Sequence, residues 1–373
     1  MLVTIQPCNT TGDLKKFVQF PYDLYKGNKY WVPPMKKDEL QALQPATNPA
    51  FKTCDAQFWI AIKHGKVAGR IGAIINRAYN EQVGTRLGRI TRFEFIDDAE
   101  VSKVLLATAE KWIKDKGMAG VHGPLGFTNL DHQAILIEGF DYLPSIASEY
   151  HLPYYKEHME AAGYEKERDW VEFRLKLAAE IPEKALKLNE MIKTRYKLNV
   201  IHFNTQAEMK KQAPRAFDLL NNAFGDLFSF VKMDKELSDF YINKYFSILN
   251  PHFVKMIEDE NHELIGFIIS LPSLSEAMQK AGGKLFPLGW YHIMQALKKP
   301  KVADLMLTAI HPDWQAKGVS AILITELQKV MMEYGVTHAE TTGIIETNEK
   351  AISHWKNYDH IQHKRKRCFI KML

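Results

Sequence analysis

FVKMIEDENHELIGFIISL, residues 253–271, is two runs rich in β-branched and aromatic residues around a polar turn at Asp259 to His262. The shape occurs twice. FWIAIKHGKVAGRIGAII (58–75) has the same two runs around His64-Gly65, and laying VAGRIGAI over LIGFIISL sets Gly69 opposite Gly266. A hairpin signal repeated in each half of the chain marks a duplicated unit.

Outward from the hairpins the next element repeats too. VLLATAEKWIKDKG (104–117) and AILITELQKVMMEYG (321–335) are amphipathic runs closed by glycine. Anchored on those glycines, Leu105, Ala109, Trp112 and Ile113 match Leu323, Leu327, Val330 and Met331. That spacing predicts one apolar helix face on a core, with Gly117 and Gly335 as C-terminal caps. Each half reads strand, helix, hairpin strands, helix, strand, helix, strand. The helical run IPEKALKLNEMIKTRY (181–196) lies between the copies, which sets a boundary near residue 180. The expected class is α+β, two domains over 1–180 and 181–373, each a mixed and mostly antiparallel sheet flanked by helices.

The 373 residues are enough for two cores, with 46% hydrophobic and 25% charged residues. A net charge of +5 suits an anionic small ligand, a membrane surface or nucleic acid. No aromatic–basic interleaving or zinc spacing supports the last, so no nucleic-acid partner and no metal are expected. Cys8, Cys54 and Cys368 are odd in number and widely spaced, which favours a reducing compartment. With no apolar leader and no apolar run of membrane-spanning length, a cytoplasmic protein, or one peripheral to a membrane, is expected.

HPDWQAKGVSAIL (311–323) stands between a strand run, DLMLTAI (304–310), and the second amphipathic helix. Pro312 ends the strand, and the helix begins near Gly318. A helix N-terminus carries unpaired N–H groups and a partial positive charge. The small residues Ala316, Gly318, Ser320 and Ala321 let an anion approach that backbone, so the loop predicts a phosphate or pyrophosphate site. The matching stretch of the first copy is Asp97-Asp98-Ala99-Glu100-Val101-Ser102. Its carboxylates satisfy the helix themselves, so one anion site is expected, in the second half.

Gln315, Gly318 and Ser320, after Ile310-His311-Pro312-Asp313-Trp314, resemble the signature loop of the GNAT acyltransferase superfamily. That signature reads Gln or Arg, two residues, Gly, one residue, then Gly or Ala, so Ser320 is a departure. The resemblance covers the element order of the second half and, more loosely, of the first. The fold it implies is two tandem GNAT-like domains, the first lacking the pyrophosphate loop. It implies an N-acyltransferase using acetyl-coenzyme A or a longer acyl-coenzyme A, acting on a small-molecule or lipid-like amine. The cofactor would meet the backbone of Gln315, Ala316, Lys317, Gly318, Val319, Ser320 and Ala321, and its pantetheine arm the strand edge at Ile310. Asn348, at the start of the following helix, matches a further cofactor contact.

Seven residues beyond Asn348 the family often has a tyrosine acid; here Trp355 holds that place, and Tyr358 is the substitute. Glu340 and Glu346 are candidate bases acting through water. A second reading is a non-catalytic acyl-coenzyme A or anion-binding sensor or scaffold, and Trp355 speaks for it.

Three stretches remain. GPLGFTNLDHQAILIEGFDYLPSIASEYHLPYYKEHMEAAGY (123–164) offers Asn129, Asp131, His132, Glu138 and Asp141 for a pocket, or is a packed structural loop. Its GFDYLP and PYY segments resemble those of tandem GNAT-like bacterial proteins, a subset of which acylates long-chain sphingoid-type amino alcohols. KLFPLGWYHIMQALKKP (284–300) suits an acyl or acceptor channel, a membrane-surface helix or an ordinary buried helix. HKRKR (363–367) is a basic run that would meet phosphate or anionic lipid, or face solvent.

Overall fold

The computed structural model describes residues 2–225 and 227–373. In chain order the strands are β1 (Thr4–Pro7), β2 (Cys54–Lys63), β3 (Lys66–Asn76), β4 (Leu87–Phe95), β5 (Gly120–Gly123), β6 (Ile135–Glu138) and β7 (Glu165–Lys176). They continue with β8 (Asn199–Ile201), β9 (Val254–Glu258), β10 (Leu264–Pro272), β11 (Val302–Ile310), β12 (His338–Thr341), β13 (Ile344–Ile345) and β14 (Asp359–Met372). The chain up to Val171, with Met278–Trp290 and His363–Leu373, forms one unit. Glu172–Ala277 and Tyr291–Gln362 form the second.

Within the first unit β1, β2, β3 and β4 pair antiparallel in that order, β5 lies parallel to β4, and the end of β14 pairs antiparallel with β5 (Phe369 opposite Gly123). The second unit repeats the plan. There β8, β9, β10 and β11 are antiparallel, β12 is parallel to β11, and the end of β7 is antiparallel to β12 (Leu175 opposite Ala339). Each parallel pair is joined by a crossover helix, Ala99–Asp115 or Val319–Glu333. The sixth place in each sheet is taken by a strand from outside that half's own run: residues 369–372 in the first unit, 174–176 in the second. Apolar alternation says nothing about which neighbour a strand selects, so this exchange leaves no trace in the sequence. The element order read from the sequence lacks a separate strand, β4, before the first crossover helix, whereas the run DLMLTAI (304–310) does form β11.

The repeated glycines have one physical cause. A Cβ on Gly69 would lie 2.6 Å from Leu105 Cδ1, and one on Gly266 would lie 2.8 Å from Val319 Cγ1 and 3.3 Å from Leu323 Cδ1. Each crossover helix therefore sits directly on its sheet where a side chain is missing. Leu105, Ala109 and Ile113 are fully buried beneath the first helix, and Leu323, Leu327, Val330 and Met331 are buried beneath the second. Both helices end in a Schellman motif: Gly117 (φ 81°) and Gly335 (φ 74°) follow the last turn. Met118 N–H then reaches Ile113 C=O, and Val336 N–H reaches Met331 C=O. In the first hairpin His64 (φ 53°) and Gly65 (φ 74°) supply the two left-handed residues that a tight type I′ turn needs.

HKRKR does not form an exposed basic tail. It lies in β14, where His363, Lys364 and Lys366 are buried. Arg365 and Arg367 converge on Asp169, with Arg367 Nε at 2.8 Å. Residues 284–300 are not an ordinary buried helix: Gly289–Lys298 is helical, but Trp290, Tyr291 and Met294 are each about half exposed. Among the described residues no helix is long and apolar enough to cross a membrane, and no group of His, Cys, Asp or Glu is arranged to hold a metal.

Candidate functional site

β11 leads through a single 3-10 turn, Pro312–Trp314, into the loop that precedes the second crossover helix. Ala316 (φ 62°) and Gly318 (φ 85°) are both left-handed, and they turn the chain so that the helix starts at Val319. Ile322 is the first residue to donate back, to Gly318 C=O at 3.2 Å, and no side chain among the described residues caps the end. The amides of Val319, Ser320 and Ala321 therefore open at the helix N-terminus with its partial positive charge. Gly318 is required twice over. Its φ is costly for other residues, and a Cβ would lie 2.6 Å from Ile192 Cδ1. The Lys317 ammonium lies 4.8 Å over the Trp314 ring, which keeps a cation beside the loop.

The strand edge before the loop is open as well. His311 N–H donates to Ile265 C=O, so the facing pair Gly266–Ile310 is the non-hydrogen-bonded one. The N–H and C=O of Ile310 hence point to the opposite edge. There β12 pairs with β11 only from Val302 to Leu305, and Thr342 then takes the carbonyls of Leu305 and Met306. Beyond that point the two strands part.

In the first unit both features are filled by the protein itself. Asp98 caps the first crossover helix, its Oδ1 accepting Glu100 N–H at 3.0 Å and Val101 N–H at 3.2 Å. Counted back from Gly117 and Gly335, those two amides correspond to Gly318 and Val319. Lys63 adds a cation, 2.6 Å from Asp98 and 2.9 Å from Glu100. Phe95 faces Gly69 as Ile310 faces Gly266. Its N–H is accepted by the Tyr155 hydroxyl at 3.2 Å, and its carbonyl accepts the Tyr154 hydroxyl. Both tyrosines belong to the PYY segment noted in the sequence, but their backbone partner was not readable there, because an edge carbonyl leaves no trace in composition.

The remaining candidates fall in different settings. Glu340 is buried on β12, with Arg174 at 3.4 Å. Glu346 is half-buried just after β13. Asn348 caps the short helix Glu349–Ser353, its Oδ1 accepting Ala351 N–H at 3.1 Å. The Tyr358 hydroxyl donates to Gln328 Oε1 at 3.4 Å, and burial raises its pKa. Trp355 is buried against Tyr358, ring centroids 6.1 Å apart, and its Nε1 has no hydrogen-bond partner among the described residues. Both rings line an apolar crevice with Leu175, Ile268, Leu305 and Met331. His311 is committed to the loop: its Nδ1 accepts Asp313 N–H at 3.3 Å.

In the first unit the 123–164 stretch is an ordered polar shell. A buried ion pair, Arg70–Glu94, joins β3 to β4, and a partly buried one ties Arg92 of β4 to Glu39. His132 Nε2 donates to Ile146 C=O at 3.1 Å, and its Nδ1 lies 3.9 Å from Glu149. Asp131 accepts Thr128 N–H, and Glu138 faces Arg365. Asp141 is exposed.

Residues 215–358 match the family model of the acetyltransferase (GNAT) family. The chain is 28% identical to Protein YghO of Escherichia coli, covering 90% of this chain and 87% of that one. It is 25% identical to a bacterial ceramide synthase of Caulobacter vibrioides, covering 94% and 92%. Among solved structures, a tandem GNAT protein from the clavulanic acid biosynthesis pathway superposes with a TM-score of 0.57 at 12% identity, over 99% of this chain and 98% of that one. At that identity the likeness shows the fold. Residues 215–358 thus match a domain of the acetyltransferase (GNAT) family, and the whole has the fold of the tandem GNAT proteins.

Proposed function

We propose that the protein is an acyl-coenzyme A-dependent N-acyltransferase that acts on a lipid-like primary amine of the long-chain amino-alcohol kind. One observation carries the cofactor assignment. The helix N-terminus at Gly318 and the strand edge at Ile310 are both open in the second unit, while Asp98 and the pair Tyr154–Tyr155 occupy the corresponding places in the first. A pyrophosphate fits the backbone from Gln315 to Ala321, with Lys317 beside it. A pantetheine amide fits the N–H and C=O of Ile310. Bound there, the cofactor supplies an activated thioester.

The acceptor class rests on the likeness to the bacterial ceramide synthase, joined to the sequence resemblance of the GFDYLP and PYY segments. Acylation requires the amine to lose a proton and the leaving thiolate to gain one. Glu346 is proposed as the base through a water, ahead of Glu340, which Arg174 already engages. Tyr358 is proposed as the acid, since burial keeps its phenol protonated at neutral pH. Asn348 supports the site by fixing the start of its helix. Three buried, unbridged cysteines fit a cytoplasmic setting.

A non-catalytic acyl-coenzyme A-binding role is the second reading, because Trp355 stands where the family often has its acid and its N–H has no partner among the described residues. Thiol release separates the two. Purified protein is incubated with acetyl- or palmitoyl-coenzyme A and either a long-chain 2-amino alcohol or a short primary amine. Release that depends on the long-chain amine is expected. Tight acyl-coenzyme A binding with no release for any amine would refute the enzyme reading.

A further inference from the structure

We propose that residues 285–299 form an interfacial anchor that seats the protein on an anionic lipid bilayer, a step that rests on the lipid-like acceptor proposed above. Six large apolar side chains are exposed within ten consecutive residues: Leu285 at 48%, Phe286 at 77%, Leu288 at 60%, Trp290 at 49%, Tyr291 at 46% and Met294 at 45%. Scattered apolar residues on a surface are ordinary, but a contiguous patch marks an interaction site.

The helix Gly289–Lys298 shows why the patch faces out. His292, Ile293, Ala296 and Leu297 lie on its half-buried side, while Trp290, Tyr291, Met294, Gln295 and Lys298 share the exposed arc. A water-facing arc would not need Trp, Tyr and Met. The preceding turn is tied to the helix, with Trp290 N–H on Leu285 C=O and Trp290 Nε1 donating to Pro287 C=O. Its root is fixed too. Gln279 Nε2 donates to the carbonyls of Lys29 and Trp31, and Gly283 C=O accepts Lys36 N–H. The apolar tip is therefore held outward by a built support.

Charge selects the occupant. From Ala277 to Ala303 the chain has no Asp or Glu, yet it carries Lys280, Lys284, Lys298, Lys299 and Lys301. Lys284, Lys298, Lys299 and Lys301 are exposed around the apolar tip. Apolar residues flanked by lysines, with Trp and Tyr between, match the gradient from acyl chains through headgroups to an anionic surface. A protein groove would select shape and hydrogen bonding instead, and it would not call for a one-sign rim.

The test is vesicle flotation of the full chain, using phosphatidylcholine vesicles with and without phosphatidylglycerol. We expect binding to the anionic vesicles that falls at high salt. The double variant Phe286→Asp/Leu288→Asp should lose at least about tenfold, and Lys298→Glu/Lys299→Glu should lose a similar factor and its salt dependence. All four positions are exposed, so the unfolding temperature should hold, and acetyl-coenzyme A binding by calorimetry should be unchanged. That second readout separates failure of the anchor from failure of the acyltransferase reading. Binding of the double variants at the parental level would overturn the proposal, as would absence of binding to any vesicle. So would light scattering that shows a dimer which Phe286→Asp/Leu288→Asp dissolves.

Discussion

Replacing Gly318 by Asn and by Asp separates the two things that make its loop an anion site. Both residues bring a Cβ toward Ile192 Cδ1, where an ideal Cβ stands 2.6 Å away, and both must hold φ near 85°. Asn and Asp tolerate that region better than most, so this shared cost is about 1 kcal/mol. Because Ile192 is met at the flexible end of its side chain, the loop should survive. The two variants differ by one negative charge beside the amides of Ser320 and Ala321. At roughly 5 Å from a pyrophosphate and an effective dielectric of about 20–40, that charge costs about 2–3 kcal/mol. Asn should therefore weaken acetyl-coenzyme A about fivefold, and Asp by a further 30- to 150-fold or so. Isothermal titration at fixed ionic strength reads this directly, with thermal unfolding to show that all three proteins fold alike. If Asp and Asn bind equally, the helix N-terminus does not hold the anion and the cofactor assignment falls.

If Tyr358 delivers the proton to the leaving thiolate, Tyr358→Phe should lower kcat about 10- to 100-fold with KM little changed, and an unchanged kcat would remove it from that role. Gly69→Ala drives a Cβ to 2.6 Å from Leu105 and 3.0 Å from Phe95 Cβ, which should destabilise the protein by about 1–3 kcal/mol in urea unfolding. Burial pushes the Glu39 carboxyl up, but the Arg92 guanidinium in contact outweighs it and holds the group at about 2 instead of 4.5. A depressed carboxylate stabilises the fold above its unfolded value and loses that contribution as pH falls from about 4.5 toward 2. The difference is on the order of 3 kcal/mol. Glu39→Gln should flatten that part of the stability–pH curve, and parallel curves for the two proteins would show the pair to be inert.

The fold was legible where side chains repeat with the period of an element. Gly69 and Gly266, and the stripes ending at Gly117 and Gly335, announce a sheet with a helix seated on it, because their spacing reports packing within one element and its nearest neighbour. Strand selection was not legible. Nothing in RCFIKML distinguishes a strand that pairs with β5 from one that would complete its own half, since apolar content is the same for either partner. HKRKR shows the same limit. Its charges read as solvent-facing until Asp169, far away in sequence, supplies their counterion.

Around the proposed site, the turn at Gly318 was legible, because glycine and small residues between a strand run and an apolar helix mark a tight strand-to-helix turn. The closure of the equivalent site in the first unit was legible only in half. The carboxylate run around Asp98 could be read directly, whereas the hydroxyls of Tyr154 and Tyr155 act on the backbone of Phe95, and backbone acceptors are invisible in a sequence. Trp355 was visible as a departure, but the burial of its N–H follows from packing against Tyr358 that the sequence does not reveal.

The decisive measurement is the stoichiometry of acetyl-coenzyme A binding to the intact chain by calorimetry. One site per chain, lost in Gly318→Asp and kept in Tyr154→Phe, is the predicted result. Two sites per chain, or one site indifferent to Gly318, would contradict the assignment of an open site to the second unit and a closed one to the first.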